Sequence, residues 1–394
     1  PAALIARSAA AHRDNGIDLR LRTEVTGINL EARTVQVCEL DSDASSTESF
    51  DELVLATGAV PVRPPLPGAD APGIYGIQTL DDGADVMDGL AERPRRAVVV
   101  GAGYIGVEMA EAMVRRGLEV TLVDQAPEPM TTLDPDMGAL VREAMKGMGI
   151  RVCTGTPVSG FQTGREGRVA AVVTAEGELP ADIVVLGIGV RPNTELARVA
   201  GLPLGESGGV LTDLQMRVPG HEGVWAGGDC VEVFHRVSRR RVHIPLGTHA
   251  NKHGRVIGVN LGGGYATFPG VVGTAVSKVC DLEIGRTGLL EAEARVAGFE
   301  TASATVDSTT RAGYFPNATA ITVKVIAERR TGRLLGAQLV GREGTGKRVD
   351  VCAAALCNGM TVEEMINLDL GYAPPFAPVW DPVLVAARKA SEAV

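Results

Sequence analysis

None of the six cysteines, at positions 38, 153, 230, 280, 352 and 357, forms a CxxC pair with another. That absence argues against a zinc site and against a secreted disulfide framework, and it suits a reducing, cytoplasmic compartment. No apolar run approaches the roughly 18 residues that a membrane span requires. The opening Pro1-Ala2-Ala3-Leu4 has neither a signal-peptide pattern nor an initiator Met. Positive charge is also scarce: 38 Lys and Arg stand against 48 Asp and Glu, a net charge of −10. Such a chain has no global field to attract a phosphate backbone, so neither nucleic acid nor a membrane is expected as a partner. There is no solenoid-type repeat, and 49 Gly with 22 Pro fall short of the ~25–30% of low-complexity chains. What remains is an ordinary globular composition, 45% hydrophobic and 22% charged. At 394 residues it is long enough for two or three domains.

Strand and helix signals alternate through most of the first 270 residues, which reads as α/β with parallel sheets. Residues 19–25, 34–40 and 53–56 read as strands, and the polar stretch 41–49 as a loop. Residues 60–73 (VPVRPPLPGADAPG) form a proline-stiffened connector of the kind that crosses between domains. Strand 97–100, helix 105–116 and strand 119–123 make one βαβ unit, and strands at 149–153, 169–174 and 183–186 are expected to complete its sheet. After residue 268, strand-like segments at 270–279, 319–328 and 334–340 precede a helix at 350–358, as in an α+β domain with an antiparallel sheet.

The βαβ unit carries chemistry. Gly101-Ala102-Gly103-Tyr104-Ile105-Gly106 follows the first strand and opens the helix, and Asp124 ends the next strand. Gly101 permits the tight turn, Gly103 lets the backbone approach a pyrophosphate, and Gly106 allows close helix–strand packing, while the helix N-terminus supplies amide donors. Asp124 can accept hydrogen bonds from a ribose and would repel a 2′-phosphate, so NADH is favoured, with NADPH possible. Glu108, one turn into the helix, is either a solvated residue or part of the site.

From this fingerprint the chain resembles the flavoprotein disulfide reductases. Leu53-Val-Leu-Ala-Thr57-Gly58 is similar to their ATG segment, and Gly187-Ile-Gly189-Val-Arg-Pro-Asn193 to the later loop whose glycine lies against the nicotinamide nucleotide. Val224-Trp-Ala-Gly-Gly228-Asp229 resembles their second FAD motif, with the Asp on the ribityl chain; taken alone, Asp229 is equally an ordinary turn residue. Thr248-His249-Ala250 would open the helix whose amides approach the flavin pyrimidine ring. His249 and His253 at i, i+4 could also suggest a metal, but no third ligand stands nearby and none is expected.

The last third resembles the coenzyme A-disulfide reductase and NADH oxidase branch, through Ala312-Gly-Tyr314-Phe-Pro316 and Asp369-Leu-Gly-Tyr372-Ala-Pro-Pro. That resemblance implies two Rossmann-like domains, for FAD and NAD, plus an α+β C-terminal dimerisation domain. Residues 1–92 and 206–267 would bind FAD, 93–205 NAD, and 268–394 would dimerise. Tyr314 and Tyr372 would act in catalysis from the partner subunit of a homodimer, although interface or core aromatics would look the same. The family's first GxGxxG unit and its redox cysteine are not in the sequence, so a preceding segment of roughly 70 residues is expected to supply them. Cys230, next to Asp229, is no obvious replacement. The implied activity is FAD-dependent reduction by NADH of a small-molecule disulfide or persulfide, coenzyme A disulfide foremost. The alternatives are an NADH oxidase or peroxidase, or a non-catalytic nucleotide-binding dimer.

Overall fold

A computed structural model describes residues 4–394; residues 1–3, where the expected FAD domain begins, lie outside the described residues. The chain divides into two compact units. One comprises the chain up to Val60 with Arg191–Phe234 and Arg241–Gly270; the other comprises Pro61–Val190, His235–Arg240 and Val271–Val394.

In the first unit, Leu53–Leu55 runs parallel to Val224–Ala226, and the Gly247–Leu261 helix follows in the chain. A three-stranded antiparallel meander, Thr23–Asn29, Thr34–Glu39 and Ser45–Ser49, lies apart from that pair. The expected loop 41–49 therefore contains a strand. Serine, threonine and glutamate have no apolar period to announce one, yet Cys38 opposite Ser45 through Thr34 opposite Ser49 closes the ladder. Backbone pairing, available to any non-proline residue, decides the outcome there. The first strand also starts later than residue 19, because Arg22 adopts a left-handed φ of 52° just ahead of Thr23.

The second unit contains a five-stranded parallel sheet in the order Ile74–Gly76, Ile183–Leu186, Arg96–Val100, Glu119–Val123, Arg151–Cys153. The central strands are buried on both faces, as the continuous runs Ala-Val-Val-Val and Ile-Val-Val-Leu require. Residues 169–174, expected in this sheet, belong instead to an antiparallel one with Val158–Thr163 and Gly177–Pro180. The tight reversal from Thr174 to Gly177 permits only antiparallel pairing, since a parallel neighbour needs a long crossover. Ile74–Gly76, at the end of the proline-rich connector, takes the edge of the parallel sheet.

Beyond residue 270 the sheet is antiparallel, as expected, but has five strands: Ala275–Val279, Leu282–Gly288, Leu334–Gly341, Ala320–Glu328 and Thr301–Thr309. Leu282–Gly288 and Thr301–Thr309 escaped the sequence reading because their alternation is mixed, with charged or polar residues among the apolar ones. Glycines at φ 96° and 68° (Gly270 and Gly273) delay the first strand to Ala275. The helix expected at 350–358 begins earlier, as Thr345–Asn358. Leu334–Gly341 is buried along its whole length. One side of this sheet joins a core with the Thr345–Asn358 and Pro382–Ser391 helices; Ile284 and Val340 join the core around the parallel sheet.

Candidate active site

The glycine loop is shaped by close backbone approach. Gly101 has φ 98°, and a Cβ there would collide with Gly187 O. A Cβ on Gly106 would fall on Gly101 O, whereas Gly103 has open space, its nearest neighbour being Gly187 O at 4.0 Å. Gly187 itself admits no Cβ, which would come within 2.8 Å of Gly106 Cα. Gly101, Gly106 and Gly187 thus form one cradle, built where two adjacent parallel strands end. The GIGVRPN motif alone gives Gly187 no such role; its position after a strand neighbouring Arg96–Val100 is the signal that could have found it. Gly103 is the N-cap of the Tyr104–Arg115 helix and makes no side-chain cap, so the first amides of the helix are available to an anion.

Asp124 does more than wait for a ribose. Its Oδ2 accepts from Ala102 N at 2.5 Å and its Oδ1 from Ala126 N at 2.7 Å, while Met130 N donates to Ala102 O at 2.7 Å. The loop peptide is held from both ends before any ligand arrives. Glu108 is exposed and accepts from Ser277 Oγ at 2.8 Å, tying the helix to the C-terminal sheet. Burial raises the pKa of Tyr104, whose hydroxyl finds no hydrogen-bond partner among the described residues. Ile105 is half-buried beside it, and Gly189 (φ 94°) lies past the cradle, its carbonyl accepting from Val62 N at 2.9 Å.

In the first unit, Thr57 and Gly58 clasp Asn193. Thr57 Oγ1 donates to Asn193 O at 2.5 Å, Asn193 Nδ2 donates to Thr57 O at 3.3 Å, and Asn193 N donates to Gly58 O at 2.9 Å. Asp229 stands in a short turn, Gly228–Cys230, after the Val224–Ala226 strand. Among the described residues its carboxylate accepts no protein hydrogen bond, leaving it open to a polyol. The Gly247–Leu261 helix begins at Leu246 without a side-chain cap, and Thr248 is exposed, His249 buried and Ala250 half-buried in its first turn. His249 Nδ1 donates to Ile244 O at 3.1 Å, and burial lowers its pKa. Cys230 is fully buried, its thiol donating to Gly227 O at 3.2 Å, and burial raises its pKa. Such a thiol is a poor nucleophile.

Tyr314 and Tyr372, 58 positions apart, are brought together. They lie close enough that Tyr314 raises the pKa of Tyr372, and both are exposed, Tyr314 at 79%. Arg348 explains how their loops meet. This buried guanidinium pairs with Asp381 at 2.9 Å and donates to Thr310 O and Phe376 O at 3.1 and 3.2 Å, one carbonyl near each tyrosine. No local pattern marks Arg348, because its partners come from two segments far from it in the chain, around Thr310 and from Phe376 to Asp381.

The donor sets fit the groups that such a frame would hold: a cradle too tight for Cβ atoms beneath a helix N-terminus for a pyrophosphate, and an unengaged carboxylate beside an uncapped helix for a flavin. The model of the pyridine nucleotide-disulphide oxidoreductases matches residues 2–254, and that of their dimerisation domain matches residues 274–382. The chain belongs to this family; it is an oxidoreductase of FAD and a nicotinamide nucleotide, with a dimerisation domain. The non-catalytic reading is thereby set aside. Among its relatives is the CoA-dependent NAD(P)H sulfur oxidoreductase of Pyrococcus furiosus, 39% identical over 379 residues, 95% of this chain and 84% of that protein. An NADH oxidase of Methanocaldococcus jannaschii is 36% identical over 382 residues, 96% and 84% of the two chains. In solved structures, a NAD-dependent persulfide reductase from A. fulgidus superposes with a TM-score of 0.95 at 38% identity, covering 98% of this chain and 71% of the other.

Proposed function

We propose that the protein is a nicotinamide nucleotide-dependent reductase of a low-molecular-weight disulfide or persulfide, with coenzyme A disulfide the leading substrate. The observation that carries this reading is the Tyr314–Tyr372 pair, two phenols brought close to one another on an exposed face of the dimerisation domain. Phenols so placed can donate a proton to a leaving thiolate. The names of the Pyrococcus and A. fulgidus relatives support sulfur as the acceptor.

Gly101, Gly103, Gly106 and the amides of Tyr104 and Ile105 would hold the pyrophosphate of NADH, with Asp124 on the adenosine ribose and Gly189 beside the nicotinamide end. Thr57, Gly58, Asp229 and the Thr248-His249-Ala250 turn would hold FAD, and Glu108 would border the nucleotide site. Bound FAD supplies hydride acceptance from the nicotinamide and electron transfer to sulfur. The chain's own share is to orient these groups, exclude water and deliver protons from Tyr314 and Tyr372, contributed across a homodimer. Residues 1–92 with 206–267, 93–205 and 268–394 remain our division into FAD, NAD and dimerisation domains. Six unpaired cysteines suit a cytoplasmic location.

The methanogen relative's name favours a second reading, an NADH oxidase. NADH consumption measured with coenzyme A disulfide under argon, and with air alone, separates the two. Turnover under argon is expected; turnover in air only would overturn the disulfide reading.

A further inference from the structure

Four backbone polar groups of the Gly227-Gly228-Asp229-Cys230 turn are held by specific partners, and two of the partners are histidines. Gly227 N donates to Leu55 O at 3.0 Å and Gly227 O accepts from the Cys230 thiol at 3.2 Å. Gly228, at φ 81°, donates its N–H to His253 Nδ1 at 3.1 Å, and Asp229 O accepts from His243 Nε2 at 2.7 Å. A buried turn depends on such pairing, because each unpaired peptide group there is costly.

His253 is built for one role in this arrangement. It is 1% exposed, and its ring meets Phe268 edge-to-face with centroids 4.4 Å apart. Because Gly228 N–H donates to Nδ1, the proton sits on Nε2, which has no hydrogen-bond partner among the described residues. Burial, with His249 and Lys252 nearby, lowers its pKa to about 4, so the ring stays neutral and Nδ1 stays an acceptor. Helix and turn are also in direct contact: a Cβ on Gly227 would come within 3.1 Å of His253 Cβ and 3.0 Å of Ile257 Cδ1.

We infer that His253 is a positioning residue for the flavin: by accepting the Gly228 N–H it fixes the left-handed peptide that aims the Asp229 carboxylate. His243 secures the same turn one peptide further on, at Asp229 O. This rests on the assignment of Asp229 to FAD above. It gives His253 a hydrogen-bonding role in place of a metal ligand's, since its Nδ1 lone pair accepts the Gly228 N–H and its Nε2 carries the proton.

The test compares His253→Phe, which keeps a ring but removes the acceptor, with His253→Gln, whose amide oxygen can restore it, in the full-length protein. FAD affinity is measured by quenching of flavin fluorescence, and thermal stability in parallel without flavin. The expected result is a Kd about tenfold or more higher in His253→Phe, with most of the affinity recovered in His253→Gln. If both variants lose stability equally while Kd stays at the wild-type value, His253 is only a packing residue and the inference is overturned. A wild-type protein that binds no FAD would instead overturn the flavin assignment itself, and this inference with it.

Discussion

At the scale of single residues, the site depends on what side chains are forbidden as much as on what they supply. Replacing Gly106 by Ala places a methyl on Gly101 O, so the helix must lift from the strand. A stability loss of about 1–3 kcal/mol is expected, together with a raised KM for NADH at nearly unchanged FAD content. Steady-state kinetics and flavin absorbance check both. Cys230 gives the opposite expectation. Its buried thiol, raised in pKa, donates to backbone carbonyls, so Cys230→Ala should retain disulfide reduction, and iodoacetamide should label Cys230 negligibly at neutral pH. Loss of turnover in that variant, without loss of folding, would make Cys230 a redox residue after all. The fingerprint glycines were legible in the sequence because their spacing encodes a local turn. Gly187 and His253 were less so, because their partners lie many positions away and only the fold brings them together.

Among elements, the junction of the Pro135–Gly147 helix with the C-terminal sheet is the most heavily charged buried feature. Lys324 Nζ lies 3.1 Å from Asp134, 2.8 Å from Asp136 and 3.1 Å from Glu291, and Gln338 exchanges two 2.7 Å hydrogen bonds with Asp134. Burial opposes the charge on Lys324, but the three carboxylates outweigh it and raise its pKa. Burial likewise opposes ionisation of Glu291, yet Ser303 and Lys324 prevail and hold it below the usual range. The signs follow by linkage. The Glu291 contribution is present above the ordinary carboxylate range and is lost as pH falls through its depressed folded value. The Lys324 contribution is present below the ordinary lysine range and is lost as pH rises through its raised one. Lys324→Met strands three carboxylates and should cost about 3–5 kcal/mol in urea unfolding, flattening both limbs of the pH–stability curve; an unchanged midpoint would show the cluster to be energetically idle. Strands elsewhere in the chain also show what the sequence could not reveal. Continuous apolar runs such as 183–186 were legible, because burial on both faces needs no partner's identity to be recognised. Ser45–Ser49 and residues 169–174 were misread, because pairing direction is set by turns and neighbours rather than by each segment's own composition.

For the whole molecule, the surface around the tyrosine pair is the clearest statement of what remains to be covered. Tyr314, Phe376 and Val379 are exposed at 79%, 75% and 70%, and Trp380, under the Arg388 guanidinium at 5.2 Å, adds a further aromatic. Arg348 holds the two loops that carry this surface, so the aromatic face is fixed in shape rather than trailing in solvent. A rigid patch of Tyr, Trp and Phe is the composition of an interface core, and the matched dimerisation domain supplies a second copy as its partner. Phe376→Asp buries a charge if that face is covered and should convert the dimer to monomer, read by sedimentation. Tyr372→Phe leaves the face apolar, so the dimer should persist while turnover falls about 10²–10⁴-fold, the usual range for a lost proton donor. The wild-type rate should hold to higher pH than an ordinary phenol allows, since the neighbouring Tyr314 raises the pKa of Tyr372. If Phe376→Asp dissociates the dimer yet leaves turnover intact, the tyrosines act within one subunit. If dissociation and loss of turnover coincide, and mixing inactive Tyr372→Phe with another inactive variant restores activity, each site is completed by its partner.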